Sequence, residues 1–136
     1  ISWTNTYVGC KTLLEYVDEK NLDMNDLNEI YDDVRNAAYE IIERKKATYY
    51  GIGLSLNKLI NSIFNDTNKI LCVSAYLDHE YKHKDIYIGV PCVINREGIK
   101  EVIQLPLNGV DQGKFDDSYE ILRKLKVEVK KDLGLS

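Results

Sequence analysis

Apolar residues recur at helical spacing through the first half of the chain and at strand spacing through much of the second. Leu13, Leu14, Tyr16 and Val17 form a short cluster that predicts a helix packed by one face. The polar, acidic run from Asn21 to Asp26 breaks it. Leu27, Ile30, Tyr31, Val34, Ala37, Ala38, Ile41 and Ile42 then repeat as one long amphipathic helix. Asn25 is its predicted N-cap. Asp26 and Glu29 at the start, with Arg44, Lys45 and Lys46 at the end, match the helix dipole at both termini. A second apolar helix carries Ile52, Leu56, Leu59, Ile60 and Ile63 and stops at the polar cluster Asn65-Asp66-Thr67-Asn68.

Beyond that cluster the period changes. Ile70 to Leu77 is almost continuously apolar, which predicts a strand buried on both faces. Ile86 to Ile94 alternates, with Ile86, Ile88, Val90, Cys92 and Ile94 on one side. Pro91 within it implies an edge or a bulge, because proline cannot donate to a ladder. Asn95-Arg96-Glu97-Gly98 predicts a hairpin turn, and Ile99, Glu101, Ile103 and Leu105 alternate as a third strand. These runs are too close together for helical crossovers, so an antiparallel meander is expected. A last helix begins near Asp111 and carries Phe115, Tyr119, Leu122 and Leu125, with Gly113 interrupting its start. Helices, then an antiparallel sheet, then a C-terminal helix place the chain in the α+β class.

Composition narrows the function classes. A chain of 136 residues with 44% hydrophobic and 29% charged residues has the size and balance of one globular domain. Its net charge of −4 argues against a nucleic-acid partner. No apolar run approaches the ~18 residues a membrane span requires. The opening Ile1-Ser2-Trp3-Thr4-Asn5 has no signal-peptide character and no initiator Met, so the chain reads as a piece of a longer protein. Cys10, Cys72 and Cys92 are odd in number and lack CxxC spacing, which fits reduced cytoplasmic thiols.

Several strings raise chemistry and then lose it in context. His79-Glu80-Tyr81-Lys82-His83 matches the zinc string H-E-x-x-H. That string works only on a helix, where both imidazoles face one way. Here it sits between two strand runs and reads as a solvated hairpin loop, so no metal is expected. Gly51-Ile52-Gly53 follows a helix rather than a strand and lacks a third glycine; close helix packing explains it better than phosphate binding. Both histidines lie in one exposed-looking turn, so no Ser/His or Cys/His pair is indicated. Asp32-Asp33 and Asp116-Asp117 read as solvated helix faces. The basic set Arg123, Lys124, Lys126, Lys130 and Lys131, interrupted by Glu128 and Asp132, reads as a soluble helix surface.

The junction Ala47-Thr48-Tyr49-Tyr50-Gly51-Ile52 stands apart. A helix-to-helix link rarely needs a hydroxyl, two tyrosines and a glycine together. The mixture suits the wall of a small pocket, although residue physics alone would accept Thr48 as a helix cap.

Together with Asn28-Glu29-Ile30, Ala37-Ala38-Tyr39-Glu40-Ile41-Ile42, Glu80-Tyr81, Tyr87-Ile88-Gly89-Val90-Pro91 and Lys114-Phe115, in this order and spacing, the junction resembles the C-terminal, substrate-side domain of the L-lactate dehydrogenases. The resemblance spans nearly the whole chain and implies that residues 1–136 are one C-terminal substrate domain. It implies that Thr48 lines the pocket beside the short side chain of pyruvate or lactate, and that Ile52 packs on the nicotinamide ring of NAD. It implies that Ala37 and Ala38 let the backbone approach the substrate. A threonine leaves room for a methyl group and offers no cation to a second carboxylate. The family's catalytic histidine, its arginines and its Rossmann NAD domain would all precede Ile1. No catalytic residue is therefore expected in this chain, and the isolated chain is expected to be inactive. The resemblance further implies a cytoplasmic tetramer or dimer, with neither nucleic acid nor membrane as partner. Lys46, where many members have glycine, and His79, where glycine is common, depart from the pattern. Alternatives are a malate or hydroxyisocaproate dehydrogenase, or a free-standing protein-interaction domain.

Overall fold

A computed structural model describes residues 2–134; Ile1, which opens the string read for a signal peptide, lies outside the described residues. The chain divides into two compact units, one up to Lys58 and one from Leu59 onward.

The first unit opens with a two-residue hairpin, β1 (Tyr7–Val8) and β2 (Lys11–Thr12), which runs directly into α1 (Leu13–Lys20). Thr12 and Glu15 cap α1 reciprocally. The Thr12 hydroxyl accepts from Glu15 N at 3.2 Å, and the Glu15 carboxylate accepts from Thr12 N at 2.9 Å. Leu13 and Val17 are the buried positions, four apart as one helical face requires. Asn21, in the left-handed region, ends α1, and α2 (Met24–Lys45) begins almost at once. Its N-cap is Asp23, whose carboxylate accepts from Asn25 N at 2.8 Å, and not Asn25. Starting two residues earlier moves Glu29 out of the first turn, where Asp26 remains. No residue of α2 is buried; of its apolar stripe Leu27 and Ala37 are half-buried, while Ile30 and Val34 are 56% and 67% exposed. Lys46 takes φ 59° as the C-cap, donating to Ile42 O, and α3 (Tyr50–Phe64) follows.

The second unit is built on the sheet β3 (Lys69–Asp78), β4 (Lys84–Asn95) and β5 (Gly98–Val102), antiparallel in the order β3-β4-β5. Its inner face joins Leu77, Ile88, Val90, Cys92 and Ile94 into one core with Ala75, Ile86 and Tyr81. Leu59 and Ile63 of α3, and Phe115, Tyr119 and Leu122 of α4 (Gly109–Asp132), pack on it. Asn108 caps α4 by accepting from Asp111 N at 2.8 Å, and the helix runs through Gly113 without interruption. The Asn95–Gly98 turn forms as expected, with Gly98 at φ 102°. Among the described residues no helix is long and apolar enough to cross a membrane.

Three strand expectations need correction. β3 is buried on one face only: Leu71, Val73, Ala75 and Leu77 point inward, while Ile70, Cys72, Ser74 and Tyr76 are exposed. The sheet is single, so nothing in this unit covers its outer face. Next, β4 is the central strand, and its register shift lies between Val93 and Ile94 rather than at Pro91. Pro91 is accommodated because its carbonyl, which accepts from Ile103 N at 2.8 Å, faces the side where β5 has just ended opposite Cys92. The amide and carbonyl of a strand residue point the same way, so the proline ring sits where the ladder is closing. The Ile103 carbonyl accepts instead a hydrogen bond from the Tyr81 hydroxyl at 2.6 Å. Finally, the third strand stops at Val102, and Ile103 and Leu105 continue as irregular chain.

Candidate functional site

Every residue expected to touch substrate or cofactor lies in the first unit. Lys46 turns the chain sharply at the end of α2, and Ala47 and Thr48 follow, both half-buried. Tyr49 O accepts from Gly53 N at 2.9 Å, the first bond of α3, so Tyr49 holds the cap position and Thr48 stands before it. The rings of Tyr49 and Tyr50 lie 4.8 Å apart and are largely exposed. Ile52, on the first turn of α3, is 59% exposed. Thr48 and Ile52 thus share one short junction. Ala37 and Ala38 lie more than a turn back on α2, Ala37 half-buried and Ala38 exposed. A Cβ added at Gly51 or Gly53 would meet nothing within 4 Å among the described residues, so close helix packing does not explain those glycines here.

The H-E-x-x-H string resolves differently from a solvated loop. It forms a tight turn with one 3-10 turn, Glu80–Lys82. His79 is exposed, its Nε2 3.7 Å from the Asp78 carboxylate. His83 is largely buried, with Nε2 2.7 Å from Asp116 Oδ1 and its ring stacked on Tyr119 at 3.9 Å. The two imidazoles serve different carboxylates, and no metal-binding cluster occurs among the described residues. Asp116 is therefore not a simple solvated residue. Gln112 Nε2, at 2.8 Å, and then His83 hold its carboxyl below the usual range. Tyr81 is buried in the core; its hydroxyl donates to Ile103 O and accepts from Leu105 N at 2.9 Å, and burial pushes its pKa up. Residue-by-residue reading missed this network. Gln112 and Asp116, like Phe115 and Tyr119, show a helical stripe at i, i+4, but no local signal places His83 opposite it, 33 residues away.

The family model for the lactate/malate dehydrogenase alpha/beta C-terminal domain matches residues 1–133. The chain belongs to the lactate/malate dehydrogenase family. It is 44% identical over 128 residues to L-lactate dehydrogenase 1 of Bacillus cereus, a match covering 93% of this chain and 41% of that protein. The crystal structure of the minor L-lactate dehydrogenase from Enterococcus mundtii, in its ligands-bound form, superimposes with a TM-score of 0.86 at 44% identity, over 90% of this chain and 40% of that one. Malate dehydrogenase from Aeropyrum pernix superimposes with a TM-score of 0.78 at 31% identity, over 88% of this chain and 38% of that one. The chain thus spans about two fifths of the length of the family members it matches. Its α+β architecture is that of the family's C-terminal domain.

Proposed function

We propose that this chain is the substrate-side domain of an NAD-dependent L-lactate dehydrogenase, an oxidoreductase that interconverts pyruvate and L-lactate. The observation that carries the reading is Thr48, half-buried in the link between α2 and α3 within Ala47-Thr48-Tyr49-Tyr50-Gly51-Ile52. Thr48 limits the pocket to a short, uncharged side chain; it gives no cation to balance the second carboxylate of oxaloacetate. Ala37 and Ala38 keep the α2 wall thin. Ile52 presents an exposed apolar surface of the kind that accepts the face of a nicotinamide ring and excludes water beside it. NAD, when bound, supplies or receives the hydride. The proton donor and the carboxylate-binding arginine come, in this reading, from the rest of the protein. The assembled enzyme is read as a cytoplasmic tetramer or dimer.

The likeness to Aeropyrum pernix malate dehydrogenase favours a second reading, reduction of oxaloacetate. The two separate in one measurement. With the full-length protein and NADH, kcat/KM for pyruvate should exceed that for oxaloacetate by roughly the tenfold or more that pocket size and an unpaired charge provide. A preference for oxaloacetate overturns the lactate assignment. The 136-residue chain alone should oxidise no NADH with either acid.

A further inference from the structure

The link between β3 and β4 has a strained backbone held at Tyr81 by the segment after β5 and along the rest of its length largely by α4. His79, Tyr81, Lys82 and Asp85 adopt φ of 82°, 53°, 65° and 59°, a region in which a side chain crowds its own backbone. Such conformations persist where the surroundings over-determine them. Here α4 supplies many of the contacts. Phe115 packs on Tyr81 with ring centres 4.8 Å apart. Asp116 and Tyr119 hold His83, and the Tyr119 hydroxyl donates to Lys84 O at 3.3 Å. Lys126 donates to Asp85 O at 2.6 Å and reaches its carboxylate at 2.7 Å. In return α4 has no buried residue of its own, so these contacts are a large part of what holds it.

We propose that residues 79–85 and α4 form a single two-position strap. In the closed position the His83–Asp116 and Lys126–Asp85 pairs fasten the strained loop to the helix. When they open, the loop relaxes and α4 leaves the sheet with it, while the β3–β4 ladder stays intact. The coupling follows because Phe115 and Tyr119 meet both the loop and the core, so loosening the loop weakens what holds α4. Each fastening ends on a partly exposed carboxylate, and Lys126–Asp85 is a full ion pair, which makes the strap sensitive to salt. The charged and titratable groups around them are Lys82 and His83 at Asp116, and Lys126, Lys130 and Tyr76 at Asp85. His79 faces Asp78 instead, and Glu80 accepts from Asp78 N, so neither takes part in the fastening.

Hydrogen exchange on the full-length protein tests this. His83→Ala should raise exchange roughly tenfold or more, as sub-global opening does, both in residues 79–85 and in the first half of α4, with the β3–β4 ladder unchanged. His83→Gln, which keeps a donor for Asp116, should restore most of the protection. Raising salt from about 0.05 M to about 1 M should reproduce the His83→Ala pattern in the wild type. If His83→Ala prevents folding, Lys126→Met carries the same expectation from the other fastening. Faster exchange in the loop with α4 unchanged, or an equal rise across the ladder, overturns the proposal.

Discussion

From Leu59 onward, eight apolar side chains of the sheet and its loop close into one core; up to Lys58, Leu13 and Val17 are the buried apolar residues. The sequence gives no hint of this asymmetry, since the stripe on α2 is as regular as the alternation on β4. The difference lies in where each element finds its partner. The sheet faces are assembled by short hairpins from neighbouring segments, and α3 and α4 flank them closely in the chain. A long helix, by contrast, presents its stripe to whatever lies beside it, and within this unit nothing covers α2. The proposed substrate residues Ala37, Ala38, Thr48 and Ile52 all belong to this open unit. That is the arrangement expected of a pocket wall whose opposite side is contributed by other parts of a protein.

Paired substitutions sharpen the contrast most strongly. Leu77→Ala, at a fully buried position, should cost about 2–5 kcal/mol, whereas Val34→Ala on the open stripe of α2 should change stability by about 0.5 kcal/mol or less. Urea midpoints of the two variants measure this, and similar losses would show that α2 is covered after all. Tyr81→Phe leaves Ile103 O and Leu105 N without their partner and should cost about 1–3 kcal/mol by the same assay.

Function should respond in the open unit instead. In the full-length protein Thr48→Gly should shift relative kcat/KM from pyruvate toward longer 2-oxo acids by about 10-fold or more, with little change in melting temperature. An unchanged ratio would remove Thr48 from the pocket wall.

Acid should act on the closed unit. Asp85, held down chiefly by its hydrogen bond from Lys126, and Asp116, held down chiefly by Gln112 and then His83, both have folded pKa values below the usual carboxylate range. Their stabilisation is complete above the unfolded value, about 3.9, and is lost as pH falls through the lower folded values. Melting temperature followed from about pH 5 downward should fall less steeply in Asp116→Asn than in the wild type. The smallest effect belongs to Lys46, whose left-handed φ disfavours any side chain; Lys46→Gly should gain about 0.5–1 kcal/mol at the end of α2.

Much of the fold was legible because it is written locally. The long helix, the Asn95–Gly98 turn, the inward face of β4 and the helix carrying Phe115 and Tyr119 each follow from period and turn chemistry. Errors arose where a neighbour decides. An apolar run on β3 looked buried on both sides, because hydrophobicity reports a preference for burial and not the presence of a second layer. Pro91 looked like an edge, because its tolerance depends on β5 ending opposite it and on Tyr81 satisfying Ile103 O. For the candidate site, the resemblance supplied Thr48 and Ile52, whereas residue physics alone favours a helix cap at Thr48 over a pocket wall.

By itself, then, the sequence determined the α+β class, the order of its elements and a family resemblance that the family model bears out. Those properties depend on residues near one another in the chain or on ordered strings of them. Tertiary structure alone decided that no residue of α2 is buried within its own unit, that His83 meets Asp116 and that Tyr81 completes the ladder beside Pro91. Each of these joins groups tens of residues apart or depends on what packs alongside, and local periodicity does not encode such distances.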